Sequence, residues 1–351
     1  MWPVMLEFGS GVAVAFLVSL AGCRALMLAG PLDHPGDARK VQTRPIPTSG
    51  GLAIGLGFAL GLLVLSFLSE SWRGVLKGEG VSPLSPSAGC AFVFLMIGFF
   101  DDARPISAWI KLILFSAVSL AASYLIGVID VLPFGAGLEL RLPFAIGLFG
   151  TALWVFVLVN CVNFMDGANG LAMGSAAIGL LGLAAIATDL GSASGAAICL
   201  CCAGALAGFL VWNVPNGALF AGDSGALFAG SVGAFASLLV MRETGLTPFV
   251  PPLLFLPLLA DALLTLARGA RPLAVGWPFR TRLSDRLARE LDPQARGFCL
   301  LGRDRGLRRH RLRRRPRSDP AFTGDCARRH GGARDGGFLG GAQARRRHGY
   351  C

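Results

Sequence analysis

Apolar residues in this chain fall into nine blocks divided by short polar breaks, at about 4–29, 50–69, 87–100, 107–129, 142–161, 170–189, 193–212, 224–241 and 247–267. An α-helix rises about 1.5 Å per residue, so roughly 20 residues cross the 30 Å hydrocarbon layer of a bilayer. The pattern predicts an all-α fold, a polytopic transmembrane helical bundle of about nine spans, with 87–100 the shortest. Glycine recurs inside the blocks, as it does where helices pack closely in lipid. The first block has no basic run ahead of it and no small-residue cleavage site behind it, so it reads as a retained span.

Composition sharpens this picture at one end of the chain. Of 351 residues, 54% are hydrophobic and 15% charged, against about 25% charged in soluble domains. Residues 1–267 hold 10 Lys+Arg against 14 Asp+Glu, whereas 268–351 hold 22 Arg against 7 acids. The isoelectric point of about 9.8 therefore belongs to the tail, and the body offers nucleic acid no basic surface. The domains expected are a transmembrane body over 1–268 and a basic, Gly-rich, disordered tail over 269–351. Cys23, Cys90, Cys161, Cys199, Cys201 and Cys202 lie in or beside apolar runs and read as small buried hydrophobes, without disulfides.

Charges and amides in or beside a span are costly, which makes each a functional candidate. Asp33, Arg39, Lys40 and Arg44 lie between spans one and two. Asp101 and Asp102 end span three, and Lys111 starts span four. Asn160, Asn163, Asp166 and Asn169 end span five, Asn213 and Asp223 lie between spans seven and eight, and Asp261 is in span nine. Spans three, five, seven and nine run the same way, so these clusters gather on one face. Arg24, Arg39, Lys40 and Arg44 make that face cytoplasmic by the positive-inside rule and put the N-terminus outside. Carboxylates without a Cys/His cluster suit Mg²⁺ and not zinc, and basic side chains suit diphosphate oxygens. Asn160 and Asn163 share a helix face. Asp101 and Asp102 point about 100° apart on a helix, so one can serve a metal while the other handles a proton or the second substrate.

Five stretches in order resemble the polyprenyl-phosphate N-acetylhexosamine-1-phosphate transferases of glycosyltransferase family 4, whose superfamily includes the translocase that begins lipid-linked peptidoglycan synthesis. They are Asp33-His-Pro-Gly-Asp-Ala-Arg39-Lys40 with Pro45-Ile-Pro-Thr-Ser-Gly50-Gly51; Gly98-Phe-Phe-Asp101-Asp102 with Lys111; Asn160-Cys-Val-Asn163-Phe-Met-Asp166-Gly167-Ala-Asn169-Gly170-Leu171; Asn213 with Phe220-Ala-Gly222-Asp223-Ser224-Gly225; and Asp261, Thr265 and Arg268. The resemblance covers about residues 1–268. It implies a bacterial inner-membrane enzyme, multi-pass, with its site on the cytoplasmic face. There a UDP-N-acetylhexosamine meets polyprenyl (undecaprenyl) phosphate with Mg²⁺ or Mn²⁺ as cofactor, UMP leaves, and a polyprenyl diphosphate sugar remains. Its implied partners are these two substrates, the bilayer and a second copy of the chain, with no nucleic acid. Phe164-Met165 before Asp166, and Asn169 where the peptidoglycan translocases carry a second Asp, resemble the members that make O-antigen or capsule precursors.

On this basis Asp101 and Asp102 are the catalytic candidates. Asp223, Asp166 and Asp102 are the metal candidates, with Asp223 foremost. Lys40, Arg44, Lys111, Asn160, Asn163, Asp166 and Asn213 are the substrate-binding candidates. Each has a structural rival: Asp166 can cap the following helix, the three Asn can join helices, and Lys40, Arg44 and Lys111 can be membrane anchors. Asp261 stands evenly between the two kinds of role. Gly50 and Gly51 are expected where backbones approach closely, and Trp212 in an interfacial belt.

The chain departs from the family pattern after residue 268. The resemblance implies a His-bearing loop and a tenth span there, whereas His310, His330 and His348 are scattered in Arg-rich sequence. One back-translation of 290–294, shifted by a base, reads Ser-Trp-Thr-His-Arg, which looks like family sequence, so a frameshift near or after residue 270 is the alternative to a disordered tail. A transporter is the main rival function, but it calls for midplane polar residues and inverted repeats. An inactive scaffold is the third reading. The Asp-Gly-Ala-Arg pattern of CDP-alcohol transferases is absent.

Overall fold

The computed structural model describes residues 2–29, 32–33, 45–68, 84–135, 137–215 and 217–269. Its elements are α1 (Trp2–Ala29), β1 (Leu32–Asp33), β2 (Ile46–Pro47), α2 (Gly50–Leu68), α3 (Leu84–Ala103), α4 (Ala108–Ile126), β3 (Val131–Gly135), β4 (Leu138–Arg141), α5 (Phe144–Met165), α6 (Leu171–Leu190), α7 (Ala193–Asn213), α8 (Gly222–Thr244), α9 (Val250–Leu254) and α10 (Leu256–Gly269). Among the described residues, eight helices, α1 to α8, are long and apolar enough to span a membrane. The chain is a polytopic helical bundle.

Helix α8 is its pillar. Every residue from Ser224 to Met241 is buried, because α2, α3, α5, α6 and α7 surround it. In lipid there is little hydrophobic drive between helices, so close van der Waals packing must hold them. Small residues permit it: a Cβ on Gly98 of α3 would lie 2.5 Å from the backbone of Asp223, and one on Gly57 of α2 would lie 2.5 Å from the carbonyl oxygen of Ala15. Aromatic rings fill the wider gaps. Phe228 of α8 meets Phe58 of α2 at 5.4 Å and Phe92 of α3 at 5.5 Å between centroids. Leu56, Leu63, Ile113, Phe149, Leu153 and Ile178 are exposed on the bundle's outer surface, where lipid is their solvent. The five cysteines Cys23, Cys161, Cys199, Cys201 and Cys202 are buried and free, and Cys90 is half-buried and free.

Two spans differ from the sequence expectation. The short block at 87–100 is a full-length helix over Leu84–Ala103; hydropathy fades at Ser85-Pro86 and at Asp101-Asp102 while the backbone stays helical. The ninth block is broken into α9 and α10 at Phe255. Pro257 has no N–H to donate and its ring would clash with the carbonyl four residues back in a continuous helix. Phe255 turns inward at the break and is buried, its ring occupying the space beside Gly179 and Gly233.

Candidate active site

The N-terminal end of α8 is where the expected site residues meet. The loop leading into it is fixed first. Phe220 N–H donates to Pro47 O (2.9 Å), and Gly50 N–H and Gly51 N–H donate to Phe220 O (3.0 Å) and Ala221 O (2.9 Å). Gly51 must be glycine for this approach, since a Cβ there would run into the backbone nitrogen of Gly225. Gly222 then turns at φ +71°. That left-handed conformation favours glycine, and a Cβ would also meet an Asp102 carboxylate oxygen and Thr48 O at 2.5 Å each.

Helix α3 delivers the aspartate pair to this end, and its two members do different work. Asp102 accepts the Asp223 N–H at 2.8 Å on one oxygen and the Ser224 N–H at 3.1 Å on the other. It thus caps α8 from a neighbouring helix, satisfying two of the four N–H groups that a helix start leaves open. Asp101 takes no part in that cap. It is buried, accepts the Ile106 N–H at 2.7 Å, and forms an ion pair with Lys111 Nζ. Lys111, in the first turn of α4, also reaches Asp223 Oδ2 at 3.3 Å. One ammonium therefore bridges the end of α3 to the start of α8. The Asp223 side chain is about a third exposed, so it remains open to a ligand.

The α5–α6 connection closes the other side. Asp166 ends α5; burial, with the Asp102 charge as a second cause, pushes its carboxyl up to about 7. Asn213, buried at the end of α7, accepts the Gly170 N–H at 2.6 Å and donates to Leu219 O at 2.8 Å. Its amide is thereby committed to joining the 166–170 loop to the loop before α8. Asn169 packs on the same loop, at Gly217. The Asn160 side chain donates to Phe156 O of its own helix at 2.7 Å, while the Asn163 side chain makes no hydrogen bond to another described residue.

The structure thus brings together Asp101, Asp102, Lys111, Asp166, Asn213 and Asp223. Lys40 and Arg44 lie outside the described residues, as do Arg39 and the whole tail from 270. Asp261 is buried on α10 and within charge range of Cys161 on α5. Trp212 donates to Leu20 O at 2.9 Å and carries the Arg24 guanidinium 5.8 Å above its ring, so it fastens α7 to α1.

The donor set has a clear chemical preference. Two carboxylates, Asp101 and Asp223, meet one ammonium; a third, Asp102, caps the helix beside them, and a fourth, Asp166, lies within charge range of Asp102. That surplus of negative charge fits a hard, oxygen-seeking divalent cation. Among the described residues no three metal-ligating side chains are grouped closely enough to hold an ion by themselves. A cation here would need oxygens from a bound phosphate as well, which is the habit of Mg²⁺.

Comparison with known proteins bears on the family of the chain. A family model for glycosyl transferase family 4 matches residues 86–241, the segment from α3 through most of α8. The chain is 28% identical over 259 residues to the Bacillus subtilis "Probable undecaprenyl-phosphate N-acetylglucosaminyl 1-phosphate transferase", covering 70% of this chain and 68% of that one. It is 31% identical over 291 residues to the Mycobacterium tuberculosis "Decaprenyl-phosphate N-acetylglucosaminephosphotransferase", covering 74% and 70%. It is 29% identical over 283 residues to the Desulforudis audaxviator "Phospho-N-acetylmuramoyl-pentapeptide-transferase", covering 69% and 78%.

Proposed function

Because the chain belongs to glycosyl transferase family 4, and so is a glycosyl-1-phosphate transferase, we propose that it moves an N-acetylhexosamine 1-phosphate from a UDP-sugar to polyprenyl phosphate. An oxygen of the lipid phosphate attacks the sugar-bound phosphorus. The bond from that phosphorus to the bridging oxygen breaks, and UMP leaves with the electron pair. The product is a polyprenyl diphosphate sugar, the first membrane-bound intermediate of an O-antigen, capsule or other envelope polysaccharide. The observation that carries this reading is the bridge by Lys111 between Asp101 and Asp223 at the capped start of α8.

Phosphoryl transfer needs positioning and charge stabilisation more than covalent help. Lys111 supplies a cation that can turn from its carboxylates to a diphosphate oxygen. Asp101 orients Lys111 and, in this reading, accepts a proton from the lipid phosphate. Asp102 acts through α8, fixing where Asp223 stands. Asp223 and Asp166 would hold Mg²⁺ or Mn²⁺, which neutralises the crowded phosphates when bound. Asn213 keeps the two loops in register, and Asn160 and Asn163 lie beside them as contacts for nucleotide or sugar. Lys40 and Arg44 are further phosphate contacts in this reading. The carboxylate end faces the cytoplasm, with Arg24 near it. Phe164-Met165 and Asn169 favour the polysaccharide-precursor branch. The likeness to a phospho-N-acetylmuramoyl-pentapeptide-transferase over 78% of its length supports a second reading, with a UDP-muramoyl-pentapeptide as donor.

The test is divalent-dependent transfer of radiolabel from a panel of UDP-N-acetylhexosamines, and from UDP-N-acetylmuramoyl-pentapeptide, to polyprenyl phosphate in membranes. Lipid-linked product that vanishes in Asp223→Asn is expected. Product from the pentapeptide donor alone would favour the second reading, and no product from any donor would overturn both.

A further inference from the structure

The end of the bundle opposite the carboxylates carries a β-hairpin that the transfer reaction does not use. Strands β3 and β4 pair antiparallel with Val131 opposite Arg141, Leu132 opposite Leu140 and Pro133 opposite Glu139. Leu142 N–H closes the hairpin on Asp130 O at 2.7 Å. Side chains alternate across a strand, and opposed residues share a face. Leu132, Leu138 and Leu140 therefore lie on one face, and Val131, Pro133, Glu139 and Arg141 on the other. The first face is apolar and open: Leu138 is 66% exposed and Leu140 50%. Phe134, at a bulge, extends it by packing its ring, tilted at 48°, 5.8 Å from that of Phe249 in the α8–α9 connection, and both rings are more than half exposed.

The hairpin's height follows from its anchors. It joins the last turn of α4 to the first turn of α5, both of which are membrane spans. Tyr124, exposed in that last turn, is a residue type that gathers at the membrane–water boundary. Phe144 and Ile146, exposed in the first turn of α5, lead to exposed Phe149 one turn deeper. The exposed apolar residues of the hairpin thus lie only a few positions along the chain from the exposed apolar residues that open α5. Its other face presents Arg141, a donor suited to lipid phosphate oxygens.

We infer that this hairpin is an interfacial anchor, with Leu138, Leu140, Phe134 and Phe249 set into the acyl chains of the leaflet opposite the catalytic end and Arg141 at the headgroups. It ties two connections, α4–α5 and α8–α9, to the bilayer. The occupant is phospholipid, and the inference is independent of which sugar the enzyme transfers.

The experiment places p-benzoylphenylalanine, one site at a time, at Leu138, Glu139, Leu140 and Phe149 of the full chain in native membranes. Irradiation is followed by mass analysis of adducts. Phospholipid adducts at Leu138 and Leu140 should match those at Phe149, and Glu139 should give about fivefold less because its side chain faces the other way. Equal yields at 138, 139 and 140 would overturn the inference, as would no lipid adduct at 138 and 140 while 149 gives one. Crosslinked pairs of this chain at 138 and 140, in place of lipid adducts, would overturn it in favour of a second copy.

Discussion

Replacing Asp102 separates a positioning role from a chemical one. Its two oxygens take the N–H groups of Asp223 and Ser224 at 2.8 and 3.1 Å. Losing a cap costs about 1 kcal/mol, within a range of roughly 0.5–2, and a carboxylate at a helix start adds about 0.3–1 kcal/mol through the helix dipole. Asp102 stands at an exposed rim, so solvent replaces part of what is lost, and about 1–2 kcal/mol is the fair sum for Asp102→Ala. If that energy holds Asp223 in place, the competent population falls about 5- to 30-fold. Asp102→Asn keeps one acceptor oxygen but sets its NH₂ against the other N–H, so its loss should be about half in free energy, about two- to fivefold. The assay is initial transfer rate against Mg²⁺ concentration. Both variants should need more Mg²⁺ for half-maximal rate, and high Mg²⁺ should recover part of the loss, because Asp223 is displaced and not removed. If Asp102 instead takes a proton in the reaction, the isosteric Asn variant would fall about 10²–10⁴-fold, as far as Ala, with no recovery. That result would refute the positioning account.

Four further outcomes follow from the same geometry. Lys111→Gln strips the cation from Asp101, whose side chain is 5% exposed; between the limits for surface and buried pairs, about 2 kcal/mol of stability should be lost, read as a lower melting temperature in detergent and largely restored in Lys111→Arg. Asn213→Ala leaves the Gly170 N–H and Leu219 O without their partner, at about 2–4 kcal/mol together; an unchanged melting temperature with only a raised KM would show that Asn213 serves substrate and not the loops. Asp166, raised to about 7, binds more protons folded than unfolded, so its charge opposes folding increasingly as pH rises from about 4 to 7; Mg²⁺ competes with that proton, and titration should show affinity falling toward tenfold per pH unit below about 7. Resequencing the coding region after residue 270 should reveal a shifted frame, and restoring it should give a His-bearing loop and a tenth span; a clean frame encoding this same tail would refute the shift.

Much of the fold is legible because lipid sets the length of a span, so nine apolar blocks yield eight full helices and one broken one. The break was written in Pro251, Pro252 and Pro257, but hydropathy averages across them. The gathering of the site was legible from direction alone, since polar residues after odd spans must share a face. What each acid does there was not legible. Asp101 and Asp102 are identical neighbours, and their difference arises only where Gly98 lets α3 press on the start of α8 and Gly222 turns toward Asp102. Asn213 reads equally as a substrate donor or a helix joiner until Gly170 and Leu219 are seen on either side of it. Gly98 was quoted only as the start of a motif, although a glycine three residues before a membrane carboxylate pair is itself a signal of close backbone approach.

The use of Asp102 as a cap has a consequence for the proposed chemistry. A helix start is a ready anion site, and many phosphate-binding proteins place their ligand there. Here the N–H groups of Asp223 and Ser224 are already taken by the chain's own carboxylate. The N-terminal end of α8 therefore offers a diphosphate little of its usual attraction, and three further carboxylates repel it. Among the described residues, Lys111 is the side-chain cation that pairs with this cluster, and it is shared between two of those acids. One lysine shared between two acids is a small counterweight to two phosphorylated substrates. In the proposed reaction a divalent ion would supply the balance, with Lys40 and Arg44 as the further cations proposed. Metal dependence in the proposed reaction is thus a result of how α3 and α8 are packed: the contact that aims Asp223 also uses up the helix's own capacity to bind phosphate.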